Sequence, residues 1–186
     1  ASLIRKVEID SYKGASDIEI IDGLAQILPT GVDHSSTKFV SNLMQSWMAS
    51  IHESDYVFYK LRATTDDSAE VSDVFDGNFY LSKSTQKPLL ISDYKLIFDE
   101  DTSLETPYLF EKNSIEELSE ISQVHVNQVP CAMSGFSFKK MEKSSFVSMI
   151  GYVSDKQVLD NLLHKFTFEY FEEKEIENAT IIKERT

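Results

Sequence analysis

The chain has 186 residues, with 31 acidic side chains against 18 Lys and Arg, and a formal net charge of −13. This length suits a single domain with a sizeable core, and the acidic excess disfavours non-specific binding of nucleic acid by the domain. A single cysteine, Cys131, excludes an intrachain disulfide framework. No apolar run reaches the roughly 18 residues of a membrane span, and no signal-peptide pattern opens the chain. We therefore expect one globular domain over residues 1–186, in a reducing compartment.

The first fifty residues are predicted to form one strand and two helices. Residues 3–12 are predicted to form a strand, because apolar Ile4, Val7 and Ile9 lie among charged neighbours. Ser16 and Glu19 have the spacing of a capping box and predict a short helix. The strongest pattern covers residues 36–51, where apolar side chains recur at spacings of three and four and predict a helix that buries Trp47.

A β-rich region surrounds an acidic loop. Residues 56–61 and 78–82 are predicted strands, and Asp76-Gly77 is a turn signal before the second of them. The loop of residues 64–75 separates them and is longer than most connections in compact domains.

The middle of the chain predicts two more strands and a capped helix. The strands are expected within residues 89–98 and 108–110. Ser114 and Glu117 form a second capping-box pattern, which predicts the start of a short helix.

The C-terminal third predicts a hairpin followed by a helix and a strand. Residues 131–138 and 145–153 are β-rich and predict the hairpin, and residues 154–157 form a capping box before a helix. Residues 166–171 alternate like a strand, and residues 179–182 predict another strand after an acidic turn. Together the elements predict an α+β fold in which an antiparallel β-sheet packs against about four short helices.

Residues with chemical potential are scattered along the chain. Cys131 would be a nucleophile if His125 or His164 folded against it, but a buried cysteine is the commoner case. The four histidines lack metal-ligand spacing and are predicted to be surface or capping residues: His34, His52, His125 and His164. No glycine-rich phosphate loop occurs, so we expect no cofactor and no metal.

One pattern supports an enzymatic alternative. Asp76, followed by Asp93 and Lys95 in the acid-x-Lys arrangement, is similar to the carboxylates and lysine of metal-dependent nucleases. Such a triplet is common in a charged chain, and the main expectation is that the protein is not an enzyme.

The acidic loop is predicted to be a self-association element. Its apolar residues Ala69, Val71, Val74 and Phe75 lie among acids, a composition suited to docking in a pocket of a neighbouring molecule. The alternative is that Val74 and Phe75 fold back on their own sheet.

The order of elements, with residues 61–64 (LRAT), 77–81 (GNFYL) and 87–90 (KPLL), resembles the globular core of a rhabdovirus-type matrix protein. The family's basic N-terminal tail is absent, although a start at Ala1 rather than Met leads us to expect a trimmed chain. Residues 99–130 are also longer than the resemblance implies.

The resemblance implies a structural protein that forms homo-oligomers and condenses a viral nucleocapsid against the inner membrane surface. It would then occur in the host cytoplasm and the virion, associated with membrane through the missing tail, and the loop of residues 64–75 would engage an adjacent molecule or the membrane. Sequence-specific nucleic-acid binding is not expected. The alternatives are an acidic soluble module for protein interaction or nucleic-acid mimicry and, third, the nuclease.

Overall fold

The computed structural model describes residues 2–11, 14–30, 43, 45–62, 69–70 and 72–185. Within these residues, eight strands form two antiparallel sheets accompanied by five α-helices, which is the α+β class predicted. The elements in chain order are β1 (Ser2–Asp10), β2 (Ser16–Leu24), β3 (Met48–His52), β4 (Tyr56–Leu61), β5 (Gly77–Ser84), β6 (Leu89–Ile91), α1 (Lys95–Phe98), α2 (Tyr108–Lys112), α3 (Ile115–Ser119), β7 (Ala132–Met141), β8 (Lys143–Val153), α4 (Lys156–Leu162) and α5 (Phe168–Arg185).

The two sheets pack face to face. The large sheet has the strand order β1-β8-β5-β4-β3, and the small sheet has the order β2-β7-β6. Phe136 of β7 stacks on Phe146 of β8 with ring centroids 4.3 Å apart, so aromatic side chains from both sheets fill the space between them.

Strands β4 and β5 are buried on both faces because successive side chains point to opposite sides. Phe79 and Leu81 pack with Leu159 of α4, whereas Tyr80 packs towards the small sheet with Ala132. The near-continuous apolar character of these strands follows from this double burial.

Helices cover the outer faces of both sheets. Helix α4 and the first turn of α5 close the large sheet, where Leu159 and Phe171 are buried. Helices α1 and α3 close the small sheet through Leu96, Ile97 and Leu118. The order of layers is therefore helix, large sheet, small sheet, helix.

Several predicted elements are confirmed. Strands β1, β4, β5 and β8 lie at the residues predicted as strands. Ser114 caps α3, with its side chain accepting from the Glu117 amide and the Glu117 carboxylate accepting from the Ser114 amide, so both halves of the capping box form. Helix α4 also forms, although its N-cap is Asp155 rather than Ser154.

The helix predicted after Ser16 is wrong. Residues Ser16–Leu24 form strand β2 and pair with β7 along their length. Ile20 packs between the sheets and Ile21 packs towards the outer helices, so the isoleucines serve the two faces of a strand.

The helix predicted over residues 36–51 is wrong in its last part. Residues 36–42 and residue 44 lie outside the described part of the chain. Met48–His52 forms strand β3, paired with β4. Trp47, expected to be buried, is 39% exposed, because the turn before β3 carries it to the end of the sheet.

The strand predicted over residues 89–98 is confirmed only at its start, and the strand predicted over residues 108–110 is wrong. The strand expected over residues 89–98 ends at Ile91, and α1 follows it. Tyr108–Lys112 is the helix α2. Short apolar runs such as these do not distinguish a strand from a buried helical turn.

The C-terminal strands and the hairpin are corrected as well. Strands β7 and β8 are consecutive in sequence but belong to different sheets, so they form no hairpin. Both strands predicted after α4 lie in or next to the helix α5, whose residues include many strong helix formers such as Glu and Lys. Tertiary contacts and helix propensity prevail over the short alternation of aromatic residues at 166–171.

Candidate functional site

One end of the large sheet gathers several strand ends. Met48 pairs with Leu61, so β3 begins where β4 ends. Tyr59 pairs with Asn78, and Asn78 pairs with Tyr152, which places the start of β5 and the end of β8 beside them. Residues that flank these positions in sequence therefore lie together in space.

Several exposed large apolar side chains lie near this end. We call the following residues the apolar rim: Leu3, Leu28, Leu43, Trp47, Phe75 and Tyr152. Leu3 and Phe75 are the most exposed of them, at 69% and 64%. Across a sheet of five strands the rim extends for about 20 Å. Grouped exposure of this kind is typical of an interaction surface rather than of single scattered surface residues.

Hydrogen bonds hold the chain segments that carry the rim. The amide and Nε of Arg62 both donate to the carbonyl oxygen of Trp47, at 3.2 and 3.3 Å. The Asn78 side chain donates to the carbonyl oxygen of Leu28 at 2.7 Å. Trp47 and Leu28 are thus fixed by their backbones while their side chains face solvent.

The predicted self-association loop contributes to the rim at one position. Lys60 Nζ donates to the carbonyl oxygen of Val74 at 3.0 Å, and the Val74 side chain is half-buried. Ala69 is exposed, and Val71 lies outside the described residues. Phe75 projects from the sheet instead of folding back on it.

A second, polar cluster was missed by sequence reasoning. The hydroxyl of Ser92 lies 2.8 Å from His52 Nε2 and 3.4 Å from His125 Nδ1. The two imidazole rings are 4.5 Å apart between centroids. These residues are 33 and 40 positions apart in sequence, so no local spacing signals the cluster.

The cluster fastens residues 123–126 to the rest of the fold. The Ser92 amide donates to Gln123 Oε1 at 2.9 Å, and the Ser50 amide donates to the carbonyl oxygen of His125 at 2.8 Å. An isolated β-bridge joins Ala49 to Val126. The segment therefore covers the outer edge of β3.

The serine and histidines do not form a nucleophilic site in this arrangement. Ser92 is 1% exposed, so its hydroxyl does not reach a substrate. Burial, and to a lesser degree the neighbouring His125, lower the pKa of His52 to about 4. An imidazole with so low a pKa is a weak general base near neutral pH. We therefore interpret the cluster as a structural contact.

Cys131 occupies a similarly inert position. Its side chain is fully buried, and its thiol donates to the carbonyl oxygen of Ile91 at 3.5 Å. Burial raises the pKa of this thiol well above its usual range, with a smaller contribution from Asp93. The thiolate needed for nucleophilic attack is therefore disfavoured.

The three residues of the nuclease alternative have structural partners or separate locations. Asp93 is buried and accepts from the amides of Lys95 and Val124, at 3.1 and 2.9 Å. Lys95 Nζ lies 2.9 Å from Glu100. Asp76 precedes β5 in the large sheet, whereas Asp93 follows β6 in the small one.

Metal binding and membrane spanning find no support in the described residues. No group of three or more His, Cys, Asp or Glu side chains in this part of the chain is placed to hold a metal ion. Among the same residues, no helix combines the length and the apolar character needed to cross a membrane.

No protein-family model matches the chain, and no curated protein matches its sequence significantly. The function is therefore inferred from the surfaces of the protein itself.

Proposed function

We propose that the protein is a self-associating structural protein whose apolar rim contacts a second copy of the chain. The observation that carries this proposal is the exposure of six large apolar side chains at one end of the large sheet. Phe75 and Trp47 are aromatic, and aromatic residues are enriched in the central parts of protein interfaces.

The charge of the chain shapes how such contacts would form. Two copies, each with a net charge of −13, repel one another over distances comparable to the Debye length. Salt weakens this repulsion but leaves apolar burial intact, so association through the rim strengthens as salt rises. An acidic module that mimics nucleic acid would instead lose its basic partner as salt rises.

The more specific matrix-protein hypothesis remains a prediction. The resemblance to matrix proteins included a predicted order of elements that ended in a strand, a helix and a strand. The structure has the helix α5 in place of the last strand, so this part of the resemblance is lost. Bridging of a nucleocapsid to the inner membrane surface, and condensation of that nucleocapsid into a virion, therefore rest on the short sequence resemblances. Self-association is the part of the hypothesis that the rim supports.

Sedimentation velocity over a series of protein and salt concentrations tests the proposal. Phe75→Ser should weaken association by roughly tenfold, the effect of losing one well-buried apolar contact. Ile176→Ser is the matched control, because Ile176 is an equally exposed apolar residue, at 69%, on helix α5. We expect the control to associate like the parent protein.

Two results would contradict the proposal. One is a parent protein that stays monomeric at every concentration and salt level. The other is an equal loss of association in Phe75→Ser and Ile176→Ser, which would remove any special role for the rim.

A further inference from the structure

The outer edge of β1 is open. Strand β1 pairs with β8 over all nine of its residues and is the terminal strand of the large sheet. On its other side, alternate residues point their amide and carbonyl groups away from β8. Within the described residues, these groups have no backbone partner. A long unpaired edge of this kind is a template for another strand.

The nearby helix does not close this edge. Lys6 Nζ lies 3.8 Å from Glu175 of α5, and Phe171 anchors the start of the helix. An open groove remains between the first half of β1 and α5, lined by residues that include Ile4 and Asn178. The helix thus lies over one face of β1 and leaves the hydrogen-bonding edge accessible.

The remaining sheet edges are protected in recognisable ways. The segment of residues 123–126 covers β3, as shown by the bridge between Ala49 and Val126. Strand β6 has only three residues. Strand β2 carries Asp17 and Glu19 with no basic residue, so two β2 edges would repel one another.

The charges of β1 are arranged differently from those of β2. Lys6 lies in its first half, and Glu8 and Asp10 lie in its second half, whereas Arg5 forms an ion pair with the buried Asp22 of β2. Two β1 strands that run antiparallel therefore place basic residues opposite acidic ones. A parallel pair would place like charges opposite each other.

We infer that β1 pairs antiparallel with β1 of a second copy, in a register centred on Val7, and that the two large sheets join into one of ten strands. In this register Lys6 of each copy lies opposite Glu8 of the other, and the contact is repeated by the two-fold symmetry. Shifting the centre by one residue would oppose Lys6 to Lys6 or Glu8 to Glu8. The inference rests on the proposed self-association and names a contact that shares only Leu3 with the rim.

Cysteine cross-linking tests the register. Two Val7 residues in the centre of the pair would have Cα atoms about 4.5–5.5 Å apart, within the range of a disulfide. Two Ile9 residues would be separated by four positions along the strand, about 13 Å, which is too far. The native Cys131 is buried and does not compete.

We expect Val7→Cys to form a covalent dimer under mild oxidation, and Ile9→Cys and the unsubstituted protein to remain uncross-linked. Val7 and Ile9 are both half-buried, so the comparison is matched for accessibility. Cross-linking of Val7→Cys no greater than that of Ile9→Cys would overturn the inference. Circular dichroism of each variant confirms that it is folded.

A charge exchange provides the second measurement. Lys6→Glu should weaken dimerisation by roughly tenfold, because it opposes acids at two symmetric positions. The double variant Lys6→Glu with Glu8→Lys should restore dimerisation, since the charges become complementary again. Lys139→Glu is the control, because it makes the same charge change at an exposed position on β7.

The outcomes separate this inference from the proposed function. If the parent protein associates but neither the Val7→Cys cross-link nor the charge rescue is seen, the β1 contact is wrong and the rim proposal stands. If the parent protein is monomeric at all concentrations, the proposed function itself fails.

Discussion

Large apolar side chains form both the interior layer between the two sheets and the exposed apolar rim, but they have different roles in the two places. Phe136 and Phe146 stack in the interior and are each 1% exposed, whereas Phe75 and Trp47 lie at one end of the large sheet and face solvent. Burial of a large apolar side chain stabilises the fold by about 1.5–3 kcal/mol. The rim residues contribute little of this, so their apolar surface remains available for association.

The largest expected effect separates the two regions directly. Phe136→Ala removes a ring that packs against Phe138 and Phe146, and we expect it to lower the free energy of unfolding by about 3–5 kcal/mol. Phe75→Ala should change that free energy by no more than about 0.5 kcal/mol, because the side chain is exposed. Urea unfolding at low protein concentration measures both. A similar loss in the two variants would show that the rim is part of the core.

An intermediate effect is expected where β3 meets its covering segment. His52 has its pKa lowered from 6.5 to about 4 in the fold, first by burial and then by His125. Between these two pH values the unfolded chain binds more protons at this histidine than the folded chain does. The contribution of His52 to the free energy of unfolding is therefore fully present above pH 6.5 and is lost as the pH falls towards 4. We expect a loss of about 1–2 kcal/mol after allowance for solvent screening.

Unfolding curves of the parent protein and of His52→Asn, collected from pH 7 to pH 4, isolate this contribution. The carboxylates titrate in both proteins, so the difference between the curves reports His52. His164→Asn, an exposed residue on the 3-10 turn after α4, serves as the control. Parallel curves for the parent and His52→Asn would show that this histidine is not the source of the pH dependence.

The smallest expected effect concerns the outermost layer. Ser114→Ala removes the cap of α3, which covers the small sheet through Ile115 and Leu118, and should cost about 1 kcal/mol. Ser119→Ala is the control, because that hydroxyl donates only to the carbonyl oxygen of Glu116 in the last turn. Equal melting temperatures of the two variants in thermal unfolding would contradict a role for the capping box.

The candidate sites were only partly predictable from sequence. Phe75 was selected because it is apolar among acidic neighbours, and it is exposed in the structure. The rest of the rim is assembled by strand register, which brings Trp47 and Tyr152 to the same end from distant positions. The pairing of His52 with His125 likewise depends on the segment that docks on β3.

The sequence by itself determined the elements whose signals are local. Strand β5 follows from a β-rich run after a turn signal, and α3 follows from a serine and a glutamate that satisfy each other's backbone amides. Only the tertiary structure decided that residues 16–24 form a strand, that β7 and β8 belong to different sheets, and that α5 is a helix. The physical reason is that an isolated apolar segment fits several conformations, and long-range packing selects the one that buries its side chains.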